Sequence, residues 1–220
     1  MYPMIKAQAL PHRMPVVIAT LTLFCLLAVL PPDAFAQSQD ADRQQENSGV
    51  EHYVIDTRGA HAFVQFRIPH LGYSWLYGRF NDFDGEFTFD PQDPSNSSIE
   101  VTIQTGSVDS NHERRDNHLR NEDFLHVEAF PEAHFRSTAF QPLGGDQYTL
   151  TGDLTLLGQT REIEIDVEHF GAGEDPWGGF RRGFSGSTEL ALADFGIDYD
   201  LGADSRVVEM ILDIEGIRQD

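Results

Sequence analysis

The sequence predicts an all-β fold, one domain of about eight antiparallel strands closed into an up-and-down barrel or stacked as a sandwich. Three observations carry this. Apolar and polar residues alternate with period two in segment after segment, which is the mark of a strand with one wet face. Clusters of Gly, Pro and Asp separate these segments. The 220 residues are 40% hydrophobic and 23% charged, which suits a folded domain with a core of its own.

Residues 1–36 read as an export signal and not as part of the fold. Lys6 and Arg13 precede a fifteen-residue apolar run, Val16–Leu30, and Ala34-Phe35-Ala36 supplies a small-x-small cleavage pattern. The run falls short of the roughly 20 residues that span a membrane, and Pro31-Pro32 ends it. Residues 37–49 are polar with no apolar period and read as a disordered leader. Residues 50–220 form the barrel domain. An exported chain points to the periplasm, and its only cysteine, Cys25, lies inside the signal, so disulfides play no part in the mature fold.

Strands follow in order. Val64, Phe66 and Ile68 oppose Phe63, Gln65 and Arg67; Phe87 and Phe89 flank Thr88; Ile99, Val101 and Ile103 flank Glu100 and Thr102. Tyr148, Leu150, Gly152, Leu154 and Leu156 share one face, as do Ile163, Ile165 and Val167, and then Val208, Met210, Leu212 and Ile214. Ser110-Asn111-His112-Glu113 fits a capping box, so one short helix is expected over about residues 111–120. A helical turn is expected near residues 74–77.

Charge excludes whole classes of partner. Fifteen basic residues stand against 36 acidic ones, a formal net charge of −21. Such a field repels phosphate backbones and anionic headgroups, which leaves nucleic acid and electrostatic membrane docking without support. Cleavage after Ala36 leaves no lysine at all, and Asp outnumbers Glu by 21 to 15 in the whole chain; both features suit a high-salt habitat.

Catalytic and metal motifs are incomplete. His112, His118, His126 and His134 cluster, but His112 and His118 are six apart and fall on different faces of a helix. No pair has the i, i+4 spacing of a zinc helix. Asp194, Asp198, Asp200 and Asp204 match no complete calcium loop, and Gly183-Phe184-Ser185-Gly186-Ser187 misses the nucleophile elbow at its last position. No catalytic residue, metal or cofactor is expected. Nine aromatic residues do fall between Phe63 and Phe89. They suit either an ordinary core or the lining of a cavity, since an eight-stranded barrel has room for one small apolar ligand.

Several motifs together resemble the YceI family. They are His61-Ala62-Phe63-Val64-x-Phe66, His70-Leu71-Gly72-Tyr73-Ser74, Gly78-x-Phe80-x-x-Phe83-x-Gly85, Arg115-Asp116-x-His118-Leu119-Arg120, Gly152-Asp153-Leu154-Thr155-Leu156 and Asp175-Pro176-Trp177-Gly178-Gly179. The resemblance runs from about His52 to Ile217. It implies an extended, lipocalin-like eight-stranded barrel in the periplasm, its pore holding a polyisoprenoid lipid such as a polyprenyl chain or an isoprenoid quinone. It also implies a cytochrome b561-type membrane partner and a homodimer. The family's lysines are missing here, so no headgroup contact through Lys carries over.

On that reading the lipid tail threads past Val64, Phe66, Phe80, Phe83, Phe87, Phe135, Leu154 and Leu156. His70, Trp75, Arg115 and His118 are expected at the mouth, beneath the helix, with Arg115 and Asp116 also readable as an ion pair that holds it. The rival readings are an enzyme for an apolar substrate using His118 or His70 as general base, and a structural stress protein whose pore is filled by its own side chains.

Overall fold

A computed structural model describes residues 49–219. The export signal and nearly all of the expected leader lie outside the described residues. Eleven strand segments occur: β1 (Glu51–Ile55), β2 (Phe63–His70), β3 (Ser74–Phe80), β4 (Phe83–Phe89), β5 (Ser98–Gln104), β6 (Val108–Asp109), β7 (Glu132–Gly144), β8 (Gln147–Leu156), β9 (Gln159–Glu174), β10 (Phe180–Ala191) and β11 (Val207–Gln219). Among the described residues there is one α-helix, α1 (Glu113–Leu119), between β6 and β7.

These segments trace eight strand paths. β1 continues into β2, β3 into β4 and β5 into β6, each path broken once and resumed in the same direction. β1 pairs with β4 while β2 pairs with β3, so the broken paths still lie side by side. β11 closes the ring. Its C-terminal half pairs with β1, from Ile55↔Gly216 to His52↔Gln219, and its N-terminal half with β2, from Phe63↔Asp213 to Arg67↔Glu209. Every pairing is antiparallel, and the result is a closed eight-stranded barrel, which decides between the barrel and the sandwich that the alternation leaves open and agrees with the family resemblance. Closure pairs the edges that would otherwise invite other chains.

Two of the breaks have a local cause that is plain in the side chains. Between β1 and β2 the Asp56 carboxylate accepts from Gly59 N–H at 2.8 Å and meets His61 Nδ1 at 2.9 Å, pinning a tight turn. Between β5 and β6 the chain makes one 3-10 turn, Thr105–Ser107. Thr105, almost wholly buried, donates its hydroxyl to the Phe130 carbonyl at 2.8 Å. The β8–β9 hairpin turns on Leu157 and Gly158, both at positive φ, the backbone geometry that matches strand twist in two-residue turns.

Two local expectations are corrected. Residues 74–77 are not a helical turn but the first half of β3, paired from His70↔Ser74 to Arg67↔Tyr77. The reversal is made earlier, by Leu71 and Gly72 at φ 52° and 73°. Nor does Ser110 cap α1: the N-cap is His112, whose ring nitrogen accepts from Arg115 N–H. Asn111 sits at φ 62° and directs the chain away before the helix begins. Ser110 is buried and gives both its N–H and its hydroxyl to the Asp116 carboxylate.

The core is the barrel interior. Inward faces carry Tyr53 and Ile55 from β1, Val64 from β2, Phe83, Phe87 and Phe89 from β4, Phe135 and Phe140 from β7, and Leu150 and Leu154 from β8. At Gly152 a side chain would collide with the Phe135 ring and the Arg136 carbonyl. Its absence lets Phe135 lie against the β8 backbone instead of across the bore.

Candidate functional site: an apolar cavity inside the barrel

The interior is not filled throughout. An apolar cavity of about 130 Å³ lies among β2, β4, β5 and β7–β11. At roughly 10–15 Å³ per water-sized body on this measure, that is room for roughly ten of them, or about two isoprene units. No titratable side chain stands on its wall, which is almost wholly hydrocarbon; Thr88 and Ser98, on strands that border it, turn their hydroxyls to each other at 3.0 Å on the exposed side.

Of the residues expected along a lipid tail, Val64, Phe87, Phe135 and Leu154 line the cavity. Phe83 is buried in the core beyond it, and Phe80 and Leu156 pack against that core half-buried. Phe66 is half-buried too, its ring centroid 5.9 Å from that of Phe80. These two rings fill the bore on the α1 side, and Phe66 fits because Gly78 opposite it has no side chain to strike the ring.

None of the four residues expected at the mouth lies on the cavity wall. His70 is exposed at the end of β2. Trp75 stands opposite Pro69 on the outer face of β3, with the Arg67 guanidinium 4.4 Å from its ring centroid. The off-helix conformation of residues 74–77 decides this, because strand alternation sends Trp75 outward while Leu76 and Gly78 point in. Arg115 donates to the Ser110 hydroxyl at 2.7 Å and to its carbonyl at 2.6 Å. Arg115 and Asp116 therefore clasp Ser110 from two sides, in place of the ion pair expected between them. Burial opposes ionisation of Asp116, yet the two Ser110 donors and the His112 backbone hold its carboxyl below the usual range. His118 meets Asp123 at 3.0 Å and places its ring edge-on to Phe124 and Tyr199, tying the chain after α1 to the segment before β11.

The far end of the bore is closed by a polar plug that sequence reasoning missed. Arg182 is 7% exposed and points inward from β10. It donates to Glu51 at 2.8 Å, to the Tyr53 hydroxyl at 3.2 Å and to His169 Nε2 at 3.0 Å. Its guanidinium lies 4.1 Å from the centroid of Phe89, a ring of the cavity wall. Because Nε2 accepts, His169 is neutral, in keeping with burial and Arg182 both pushing its pKa down. Burial pushes the Tyr53 hydroxyl up. Sequence reasoning also passed over the cavity residues of β9–β11, such as Ile165, Phe184 and Met210. Their alternation is as regular as that of β2 and β4, but the density of aromatics before Phe89 drew the site toward the N-terminal strands.

Among the described residues one group has metal-ligand proximity: Asp56, His61 and Glu215. Arg181 Nη1 lies against both carboxylates, so a guanidinium already supplies the positive charge there.

Comparison with known proteins agrees with this architecture. The YceI-like domain model matches residues 53–215. A UPF0312 protein of Pseudomonas aeruginosa is 57% identical over 167 residues, 76% of this chain and 87% of that one. Another from Serratia proteamaculans is 52% identical over 166 residues, covering 76% and 86%. Among solved structures, the Campylobacter jejuni YceI protein superposes with a TM-score of 0.63 at 26% identity, over 70% of this chain and 91% of that one. A polyisoprenoid binding domain from Saccharophagus degradans, implicated in plant cell wall breakdown, shares the fold with a TM-score of 0.55 at 13% identity, over 76% and 98%. With the family model spanning most of the chain and relatives above half identity, the chain belongs to the YceI family.

Proposed function

We propose that this protein binds and carries a polyisoprenoid lipid, a polyprenyl chain or an isoprenoid quinone, in the barrel cavity. The observation that carries the proposal is a cavity wall with no titratable side chain. A wall of hydrocarbon offers nothing to move a proton and much to hold an alkyl chain, which favours holding over converting. His70 and His118, the candidate bases of the enzymatic reading, lie elsewhere. The polyisoprenoid binding domain of the same fold supports the ligand class.

Magnitudes support it as well. At about 0.8 kcal/mol for each CH₂ taken from water, a five-carbon isoprene unit contributes about 3–4 kcal/mol. Two units contribute roughly 7 kcal/mol before the cost of association, enough for useful affinity without one polar contact. A longer chain needs Phe66 and Phe80 to swing aside, or projects beyond the barrel.

The proposal includes export to the periplasm through the signal at residues 1–36, where an acidic shell keeps the carrier dispersed. The family resemblance adds a cytochrome b561-type membrane partner and a homodimer. Native mass spectrometry of protein gently extracted from its own cells tests the reading. A co-purifying lipid with isoprene mass spacing is expected, and a clean apo mass defeats it. The same spectrum gives the oligomeric mass.

A further inference from the structure

Both ends of the bore are filled, and the two fillings differ in kind. Phe66 and Phe80 close the α1 side with hydrocarbon alone. Arg182 and His169 close the other side, and both lie against rings of the cavity wall. The His169 ring stacks on Phe89 at 6.0 Å between centroids and tilts against Phe184 at 5.2 Å. Phe89 and Phe184 line the cavity, so the state of one imidazole bears on the wall itself.

That closure holds only for the neutral ring. His169 Nε2 accepts from Arg182 Nη1 at 3.0 Å. A second proton makes both ring nitrogens donors, and Nε2–H then faces a guanidinium N–H, two like charges at hydrogen-bond distance. Two carboxylates lie near. Asp146, at the β7–β8 turn, is 3.7 Å from Nδ1 and largely exposed, so solvent screens its attraction. Glu51, on β1, is already taken by Arg182, by the Tyr53 hydroxyl and, at 3.5 Å, by Arg218. Phe89 and Phe184 bring no charge, and Glu168, beside His169 on β9, is exposed on the opposite face.

His169 is also the partner able to move. β9 pairs with β8 only as far as Glu168↔Gln147, and one hydrogen bond from His169 N–H to the Asp146 carbonyl ends the ladder. On the β10 side the register shifts at the same place. Phe184 faces His169, Gly183 faces Gly171, and Phe170 is squeezed out between them, 85% exposed. Arg182, by contrast, is anchored to Glu51 and Tyr53 and is the more deeply buried of the two. Repulsion therefore expels the imidazole and not the guanidinium.

We propose that the plug is a proton-operated latch: when His169 gains a proton its ring leaves Arg182, Phe89 and Phe184 lose their cover, and the bore opens at this end for lipid to pass. The proposal rests on the lipid-binding reading of the cavity and adds how its contents are held and let go. Burial and Arg182 both lower the pKa of His169, so the latch is shut at neutral pH and opens below the ordinary histidine value of about 6.5. Acid releases, and neutrality retains.

The test uses full-length mature protein loaded at about pH 7.5 with N-phenylnaphthylamine, an apolar and uncharged fluorophore. Its release into excess phosphatidylcholine vesicles is followed by stopped flow down to about pH 4.5, which stays above the folded-state titration of Asp56. The release rate is expected to rise about tenfold in one step, the loss of about one hydrogen bond from the closed state. The ring-proton NMR shifts of His169 are expected to give the same midpoint. His169→Gln keeps a carbonyl to accept from Arg182 and gains no proton, so it is expected to release at the slow neutral rate throughout. Asp146→Asn, at an exposed turn, removes the carboxylate that favours the imidazolium and is expected to move both midpoints to lower pH. A release rate indifferent to pH, a step that His169→Gln retains, or a step that departs from the NMR midpoint overturns the latch and leaves the cavity reading standing. A fluorophore that fails to bind at neutral pH overturns both.

Discussion

Arg181 reaches from β10 across the outside of the barrel to Asp56, its Nη1 2.6 Å from Oδ2, and so joins the break between β1 and β2 to the C-terminal hairpin. The same side chain holds Asp175 through Nε at 2.7 Å and touches Glu215. Three carboxylates from three parts of the chain thus share one guanidinium. Hydrogen bonding to Arg181, above all, holds the Asp56 carboxyl at about 2, with smaller help from His61 and Gly59 against the cost of burial.

Stability therefore falls in acid for a nameable reason. A carboxyl whose pKa drops on folding adds stability that is complete above its unfolded value, about 4, and is lost as pH falls through the folded value of about 2. The contribution at neutral pH is about 2 kcal/mol. Asp56→Asn is expected to lower Tm at pH 7 by about 5 °C and to flatten the dependence of unfolding free energy on pH between about 4 and 2. Denaturant melts of both proteins across that range check it; parallel pH curves would refute it.

The Arg182 plug behaves as a unit. Removing one partner leaves a buried charge uncompensated, so Arg182→Met or Glu51→Gln alone is expected to cost about 3–5 kcal/mol, and the double variant markedly less than their sum. A double-mutant cycle by urea unfolding reads the coupling. Additive losses would mean that the two charges are independently solvated.

Gly152 sets the bore. Gly152→Ala is expected to cost about 1–3 kcal/mol, as overpacking does, and to push the Phe135 ring toward the cavity because the Arg136 carbonyl leaves the new methyl no other room. A drop in lipid carried per protein, together with a lowered Tm, is the expected pair of readings. A variant with full lipid load shows that the ring has another place to go.

Both tryptophans lie outside the cavity, Trp75 and Trp177 being 48% and 78% exposed. Their emission is expected to be that of solvated indole and unchanged when lipid binds. Trp75→Ser is expected to alter stability by less than about 0.5 kcal/mol, as surface changes do, and to leave lipid binding intact. Quenching or a blue shift on loading would place Trp75 at the ligand after all.

Alternation made most of the fold legible. The inward faces of β8, β9 and β11 were assigned residue by residue, because a period of two fixes which side chains share a face. Less legible were features that depend on where a segment begins. A start of β3 at Ser74 turns Trp75 outward, whereas a helical turn over the same residues would leave it under α1. In Ser110-Asn111-His112-Glu113 the capping pattern was present, but Asn111 at positive φ moved the cap to His112 and left Ser110 to Asp116.

Arg181 and Arg182 show the division most plainly. The sequence by itself determined that neighbours on a strand face opposite ways, that the interior is greasy and that the surface is acidic. These follow from local geometry and from the transfer of apolar groups out of water. Which of the two arginines turns inward was decided by the closure of β11 on β1 and β2, which brings Glu51 and Tyr53 to one and Asp56 and Glu215 to the other. So too was the cavity. It is the space left between strands far apart in sequence, and only their register settles which rings fill the bore and which lie flat against its wall.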